Sequence, residues 1–202
     1  MEKEVSCINS KIFIDYIKEK THGEYRGLFA DLDPEIDRLP DPEGFLTDPN
    51  NWISCSVAAK IYERCRLILK DETVVCKIVK HAVERTSLGY AQEIIIKGLW
   101  SLKNALKNLQ KLNDKWNRNK TIELVRCKRN EAIIRLHWNR HMALTNDFCL
   151  LDRSLYTFLP LIWGGEPLHF QETCCYFKGA PYCEYHLRWP LRNRIFEIIS
   201  RF

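Results

Sequence analysis

Cysteines gather around a predicted hairpin in the second half of the chain. Cys174, Cys175 and Cys183 flank Gly179, and Cys149 lies further upstream. In a hairpin centred on Gly179, Cys175 lies directly opposite Cys183, where the β-carbons stand about 4.5–5.5 Å apart. Two thiolates at that separation can bind the same metal ion, whereas Cys174 points to the other side of the sheet. The spacing therefore favours a metal site built on Cys175 and Cys183.

Two further residues would complete a four-ligand site. Cys149 would supply a third thiolate and tie a helix to the hairpin, and Glu172 is the nearest candidate for the fourth ligand. On a regular strand Glu172 and Cys175 point to opposite faces, so they can converge only across a bulge or a strand end. A site closed by four protein ligands is structural, because it leaves no position for a reactive water.

The same cysteines allow two other interpretations. They could fill the core as small buried hydrophobes, or Cys175 and Cys183 could form a disulfide. The spacing C-x25-C-x7-C is not that of a standard zinc finger, and Cys174 could be a spare ligand, a redox partner or a packed side chain. The chain has nine cysteines and no apolar signal segment at its start. We therefore expect a reducing compartment and free thiols.

The elements that position these residues change character along the chain. Helical spacing of apolar residues predicts helices over residues 10–21, 51–67, 73–85, 90–116 and 147–163. Alternation predicts strands at residues 132–138, 168–177 and 182–189. Residues 32–51, rich in Asp and Pro, are predicted to form a connecting loop. The order of these elements predicts an α+β fold with N-terminal helices packed on a C-terminal antiparallel sheet.

Composition excludes several classes of function. Hydrophobic residues make up 46% of the chain and charged residues 28%, and the net charge is +5. No apolar run approaches the roughly 20 residues of a membrane span, so we expect a cytoplasmic protein without membrane contact. The mild basic charge does not indicate direct binding of nucleic acid. Lysines recur every four residues at positions 103, 107, 111 and 115, which indicates a solvated helix face.

The segment from Glu172 to Trp189 resembles the end of the 4-vinyl-reductase-type domain. It is also similar to the zinc-containing sensory domains of bacterial activators of aromatic catabolism. In that family an acidic residue, a cysteine, a Gly-x-Pro turn and a final cysteine close the fold. The matching positions here are Cys149, Glu172, Cys175 and Cys183. The resemblance implies that these residues hold a structural zinc beside a hydrophobic ligand pocket.

The resemblance also implies an architecture and partners. The fold would be like that of trafficking-complex subunits and would form a homodimer, with a kinase, cyclase or ATPase as the output. Residues 1–190 would form the sensory domain, and residues 191–202 would begin a signalling helix or close the fold. Trp100, His137 and Trp138 are the available aromatic or polar groups for a hydrophobic or aromatic ligand.

The leading functional hypothesis is therefore a non-catalytic domain that senses a small molecule and carries a structural zinc. A vinyl-group reductase of tetrapyrrole precursors is an alternative. However, the sequence contains no dinucleotide fingerprint, P-loop or nucleophile elbow, so we expect no enzyme. A haem or redox sensor is another alternative, with His81, His141 or His169 as axial ligand and the adjacent Cys174 and Cys175 for thiol chemistry. A pure dimerisation scaffold is the last.

Overall fold

A computed structural model describes residues 2–23, 25–85, 98 and 101–190 of the chain. The predicted tail at 191–202 and Trp100 lie outside these residues. The helices are α1 (Cys7–Thr21), α2 (Pro34–Asp37), α3 (Pro42–Thr47), α4 (Cys55–Leu69), α5 (Val74–Glu84), α6 (Leu102–Lys107), α7 (Leu109–Trp116) and α8 (Asn146–Phe158). The strands are β1 (Val5–Ser6), β2 (Trp52–Ile53), β3 (Lys120–Cys127), β4 (Glu131–Trp138), β5 (His169–Cys174) and β6 (Cys183–Arg188).

The N-terminal half is a group of packed helices. Helix α1 contacts α3, α4 and α5, and α5 lies against α8. Serine caps begin two of these helices: Ser6 accepts a hydrogen bond from the backbone of Ile8, and Ser54 accepts one from Val57. Short strands β1 and β2 pair antiparallel and hold the starts of α1 and α4 together. Local capping and one apolar face on each helix thus account for this half.

The C-terminal half is a four-stranded antiparallel sheet in the order β3-β4-β6-β5. Helix α8 contacts β5 and β6, and α7 contacts β3. Along β4, Ala132, Ile134, Leu136 and Trp138 are buried, so the predicted alternation identifies the face that packs on the helices. The predicted fold class is confirmed: helices come first, and the antiparallel sheet comes late.

Several predicted elements differ in detail. Residues 90–97, 99 and 100 of the predicted helix 90–116 lie outside the described residues, and its remainder is interrupted at Asn108, whose φ of −107° and ψ of 7° separate α6 from α7. The predicted loop over residues 32–51 contains α2 and α3, each begun by an aspartate cap followed by proline. The predicted helix 147–163 becomes a 3₁₀ helix after Phe158. Proline at position 160 accounts for that change, because it cannot donate to the α-helical ladder.

One buried core joins the two halves. Large side chains with almost no exposure include Phe13, Tyr62, Tyr156 and Tyr185. In the described part of the chain, no helix has the length and apolar character needed to cross a bilayer.

Candidate functional site

Three cysteine sulfurs meet where helix α8 faces the end of the β5–β6 hairpin. Cys149 lies in the first turns of α8, Cys175 follows β5, and Cys183 begins β6. The Sγ of Cys149 lies 3.8 Å from that of Cys175 and 3.9 Å from that of Cys183, and the latter two are 3.9 Å apart. All three residues are buried. We call Cys149, Cys175 and Cys183 the cysteine cluster.

A β-bulge brings Glu172 to the cysteine cluster. Strand β5 pairs Glu172 with Tyr185 and Cys174 with Glu184, so the register shifts between Glu172 and Cys174. This is the irregularity that the predicted site requires, and Cys174 faces Glu184 as expected. Glu172 Oε1 lies 3.3 Å from Cys149 Sγ. The ligand atoms of Glu172 and the three cysteines all lie within 4.8 Å of one another.

Cys183 is the thiol that the surrounding groups stabilise as an anion. The indole Nε1–H of Trp138 and the backbone N–H of Tyr176 each donate to Cys183 Sγ at 3.2 Å. Hydrogen bonds to the charged form favour ionisation. The hydrogen bond from Cys149, with those from Trp138 and Tyr176, lowers the pKa of Cys183 to about 6. Cys183 is therefore the group in this cluster suited to be a nucleophilic thiolate.

The surroundings of Cys149 favour its protonated form. Its hydrogen bond to the Cys183 sulfur, together with burial, raises the pKa of Cys149 well above its usual value. The Tyr185 hydroxyl lies 3.1 Å from Cys149 Sγ, and burial raises the pKa of that phenol. Burial also raises the pKa of Cys175. These shifts favour ionisation at Cys183 over Cys149 and Cys175.

The charge of Glu172 is balanced from outside the cluster. Its Oε2 lies 3.3 Å from Lys178 Nζ and 3.8 Å from an Arg153 guanidinium nitrogen, while its side chain is 10% exposed. Glu172 is therefore the polar edge of the cluster, facing solvent through two cations.

Two of the predicted ligand-binding residues, His137 and Trp138, lie on opposite faces of β4, and the third, Trp100, lies outside the described residues. Trp138 is buried and serves as a donor to Cys183. His137 is exposed on the other face of β4, where its Nε2 lies 3.1 Å from Glu123 and its ring packs edge-on against Tyr182 at 5.5 Å. The structure therefore does not bring His137 and Trp138 together.

Sequence reasoning missed two members of the cluster environment. Tyr185 shares a strand face with Cys183, and their spacing of two already placed both side chains on one side of the sheet. The Tyr176 backbone donor depends on the short 3₁₀ helix Tyr176–Lys178, and no side-chain pattern indicates such a turn.

Comparisons with known proteins identify the fold. No protein-family profile and no curated protein sequence matches the chain. Among solved structures, an H-NOX protein from S. oneidensis in the Fe(II) ligation state superposes with a TM-score of 0.68 at 12% identity, covering 93% of this chain and 97% of that one. An NMR structure of an H-NOX domain from Shewanella oneidensis in the Fe(II)CO state gives 0.64 at 12% identity, covering 94% and 99%.

A more distant match belongs to the same group. The Fe(II) unliganded H-NOX protein from K. algicida gives a TM-score of 0.54 at 12% identity, covering 93% of this chain and 97% of that one. The description of another neighbour refers to haem distortion in the H-NOX family. The chain therefore has the H-NOX fold over almost its whole length.

These comparisons correct two predictions. The resemblance to vinyl-reductase-type and zinc-containing aromatic sensory domains was wrong, because the solved structures with this fold are H-NOX proteins. Zinc as the cofactor was also wrong, because the descriptions of these neighbours name Fe(II), NO and CO ligation states. The physical reason is that a short Cys–Gly–Pro–Cys hairpin constrains only its own turn. That the four grouped residues are metal ligands stays a prediction.

A haem ligated by histidine does not fit the residues of this chain. All six histidines lie among the described residues, and none is buried: His22, His81, His137, His141, His169 and His186. The predicted axial candidates His81, His141 and His169 are therefore not part of the buried core, and their role as haem ligands stays a prediction. His81, for example, lies on α5 with 25% of its side chain exposed, beside Glu19.

A chain of aromatic rings connects the described helices to the sheet. The ring of Phe13 lies 4.4 Å from that of Tyr62, Tyr62 lies 5.4 Å from Phe148, Phe148 lies 6.4 Å from Trp138, and Trp138 lies 5.5 Å from Phe177, measured between centroids. These contacts run from α1 through α4 and α8 to the sheet. A flat cofactor between the two layers would have to displace them.

Proposed function

We propose that the chain is a sensory domain of the H-NOX fold that responds to oxidants through the cysteine cluster. It works in the cytoplasm as a regulator rather than an enzyme, and it acts on a partner such as a kinase, cyclase or ATPase. A homodimer is compatible with this role. The observation that carries the proposal is the donor set around Cys183, which prepares one thiolate next to two further thiols.

The chemistry begins at the Cys183 thiolate. Its sulfur attacks an oxygen of a hydroperoxide: an S–O bond forms, the O–O bond breaks, and the leaving oxygen takes a proton and departs as water or an alcohol. Cys183 is then a sulfenic acid. The Glu172 edge is the part of the cluster nearest solvent and provides the path for a small peroxide.

A disulfide completes the oxidation. The sulfur of Cys175 or Cys149 attacks the Cys183 sulfur, forming the S–S bond and breaking the S–O bond, and the departing hydroxide takes the attacking thiol's proton to leave as water. The sulfurs start 3.9 Å apart and must close to about 2.05 Å. A thiol reductant reverses the reaction.

Bond formation would alter the contact between α8 and the sheet. Cys149 belongs to α8, whereas Cys175 and Cys183 belong to the hairpin. Shortening either distance pulls the hairpin end inward and removes a hydrogen-bond acceptor from Trp138. Because packed interiors transmit strain, the oxidation state of the cluster can reach a partner bound on the protein surface.

Peroxide titration followed by thiol mapping tests the proposal. We expect stoichiometric peroxide to convert Cys183 to a disulfide with Cys175 or Cys149, detected by mass spectrometry of unreduced peptides. Cys183→Ser is expected to abolish this reaction. Cys174→Ser is the matched control, because the Cys174 sulfur faces the backbone oxygen of Tyr182 at 3.5 Å instead of the cluster.

Three results would contradict the proposal. They are a cluster that stays reduced under peroxide, a Cys174→Ser variant as inert as Cys183→Ser, and a stoichiometric metal ion that protects the three thiols. Metal content is therefore measured on the same sample before oxidation.

A haem-based gas sensor is the second candidate function. It is favoured by the solved neighbours, whose descriptions name Fe(II), NO and CO states. The histidine positions and the ring contacts of this chain oppose it, and haem titration separates the two candidates.

A further inference from the structure

A small groove opens between helices α5 and α8 and strand β5. Its volume is about 180 Å³, and its lining residues are Cys76, Leu150, Arg153, Ser154, Thr157, Phe158 and Phe170. The Ser154 and Thr157 hydroxyls both donate to backbone oxygens within α8, so they offer no free donor to a ligand. The remaining lining consists of two aromatic rings, a leucine, the Cys76 thiol and Arg153.

Two cations lie near the aromatic rings of this groove. The guanidinium of Arg153 lies 5.7 Å from the centroid of Phe170, and Lys80 Nζ lies 5.9 Å from the centroid of Phe158. No acidic residue lines the groove. The nearest acid to Arg153, Glu172, is 3.8 Å away, which is too long for a charge-assisted hydrogen bond. The Arg153 guanidinium therefore retains donors for an incoming anion.

We propose that this groove binds a small aromatic carboxylate. A ring between Phe158 and Phe170 would stack or meet them edge-on, and its carboxylate would take the planar donor pair of Arg153. The groove volume is below the roughly 300 Å³ at which pockets for drug-sized ligands begin. A single ring with a short acidic substituent matches that size.

The groove lies beside the cysteine cluster but does not depend on it. Arg153 contacts Glu172 Oε2, and Glu172 Oε1 faces Cys149. A carboxylate on Arg153 would compete with Glu172 and so bias the cluster, which deepens the proposed function by naming a ligand class. Binding itself needs no thiol oxidation, so its test can fail or succeed independently of the redox proposal.

The exposed thiol of Cys76 provides the first measurement. We expect benzoate, added to the reduced protein, to slow alkylation of Cys76 by iodoacetamide in a saturable manner. Benzamide, which has the same ring but no charge, is expected to protect far less. Cys127 on β3 is the internal control, because it is partly exposed and lies outside the groove. The ¹⁹F NMR signal of 4-fluorobenzoate gives a second, label-free measurement.

Matched variants separate a binding site from a general charge effect. Arg153→Gln is expected to weaken benzoate binding by roughly tenfold or more, the loss of one charge-assisted contact. Arg126→Gln removes an equally exposed cation on β3 and should leave binding unchanged. The proposal fails if benzoate neither protects Cys76 nor broadens the fluorine signal. Equal binding of benzamide, or unaltered binding in Arg153→Gln, would overturn the carboxylate assignment.

Discussion

At the scale of single residues, the buried cysteines differ in the direction in which their surroundings shift the thiol pKa. Cys183 accepts N–H donors and its pKa is lowered to about 6. In the helical half, burial raises the pKa of Cys7 to about 11, against the lowering effect of the Ser10 hydroxyl, and burial raises the pKa of Cys65 to about 12. Desolvation penalises the thiolate in both, so these thiols behave as packed hydrophobes. Reactivity is therefore expected at the cluster and at exposed Cys76, not in the helical core.

The raised pKa values of Cys7 and Cys65 predict a loss of stability at alkaline pH. Above about pH 9 the unfolded chain releases these two protons while the folded chain keeps them, so the free energy of unfolding falls as pH rises toward 11–12. Each thiol contributes a slope of up to about 1.4 kcal/mol per pH unit. Urea unfolding between pH 8 and 10 should show a shallower decline for the Cys7→Ala, Cys65→Ala double variant. The same change at exposed Cys76 is the control, and an identical slope in all three proteins would refute the assignment.

At the scale of elements, the sequence was most informative where one periodicity dominates. Three features were predictable: the apolar stripe on α5, the alternation of apolar residues along β4, and the two strands flanking Gly179. Each buries one face, and burial of one face requires apolar residues at a regular spacing. The break at Asn108 was not, since lysines every four residues continue straight through it. Strand β3 was also missed: in Lys120–Cys127 most positions are exposed or half-buried, which leaves only a weak alternating signal.

The grouping of Glu172 with the three cysteines could be predicted only in part, because some of it depends on local spacing and some on long-range packing. Counting from Gly179 placed Cys175 near Cys183, and the parity conflict of Glu172 correctly required a bulge. The approach of Cys149 depends on how α8 packs against the hairpin. That packing is a long-range property, so spacing along the chain could only suggest it.

A buried ion pair links β3 to α8. Lys120 Nζ lies 3.1 Å from Asp152 Oδ2, and the two side chains are only 3% and 2% exposed. Among the described residues neither Asp152 oxygen accepts a well-directed hydrogen bond, and burial raises the pKa of Asp152 despite the neighbouring ammonium. The Lys120 ammonium also lies 5.2 Å from the centroid of the Trp138 ring. The pair thus fixes α8 beside the indole that donates to Cys183.

Replacing one member of this pair should lower the free energy of unfolding, whereas replacing both members should leave it nearly unchanged. Lys120→Met or Asp152→Leu alone leaves a buried charge or acid without its partner, for which we expect a loss of roughly 3–5 kcal/mol. The double variant is expected to be close to the parent protein in stability, because the desolvation cost disappears together with the attraction. Urea unfolding of the four proteins gives the coupling energy. Simple additivity of the two losses would show that the ion pair does not link these elements.

At the scale of the whole molecule, the fold and the local motif pointed to different families. The hairpin around Gly179 suggested a zinc-containing sensory domain, whereas the fold over 93% of the chain is that of an H-NOX protein at 12% identity. A motif of this length determines a turn and the residues on either side. The arrangement of α1, α4 and α5 against the sheet is set by core packing spread over the chain, and packing of that kind tolerates almost complete sequence replacement.

The chain shares its fold with H-NOX proteins but has no buried histidine, and this difference predicts its response to added haem. A stable six- or five-coordinate complex needs an interior ligand, and no histidine of this chain is buried. Phe148 and Trp138 already occupy the layer between helices and sheet. We expect haemin added to the reduced protein to give only weak, non-stoichiometric absorbance changes. The His81→Ala substitution, on α5, is expected to leave these changes unaltered. A sharp Soret band at one haemin per chain, shifted by CO and lost in a histidine variant, would instead establish the gas-sensor function. It would also require the aromatic core to open, which a fall in the near-ultraviolet circular dichroism of the aromatic side chains, Trp138 among them, would reveal.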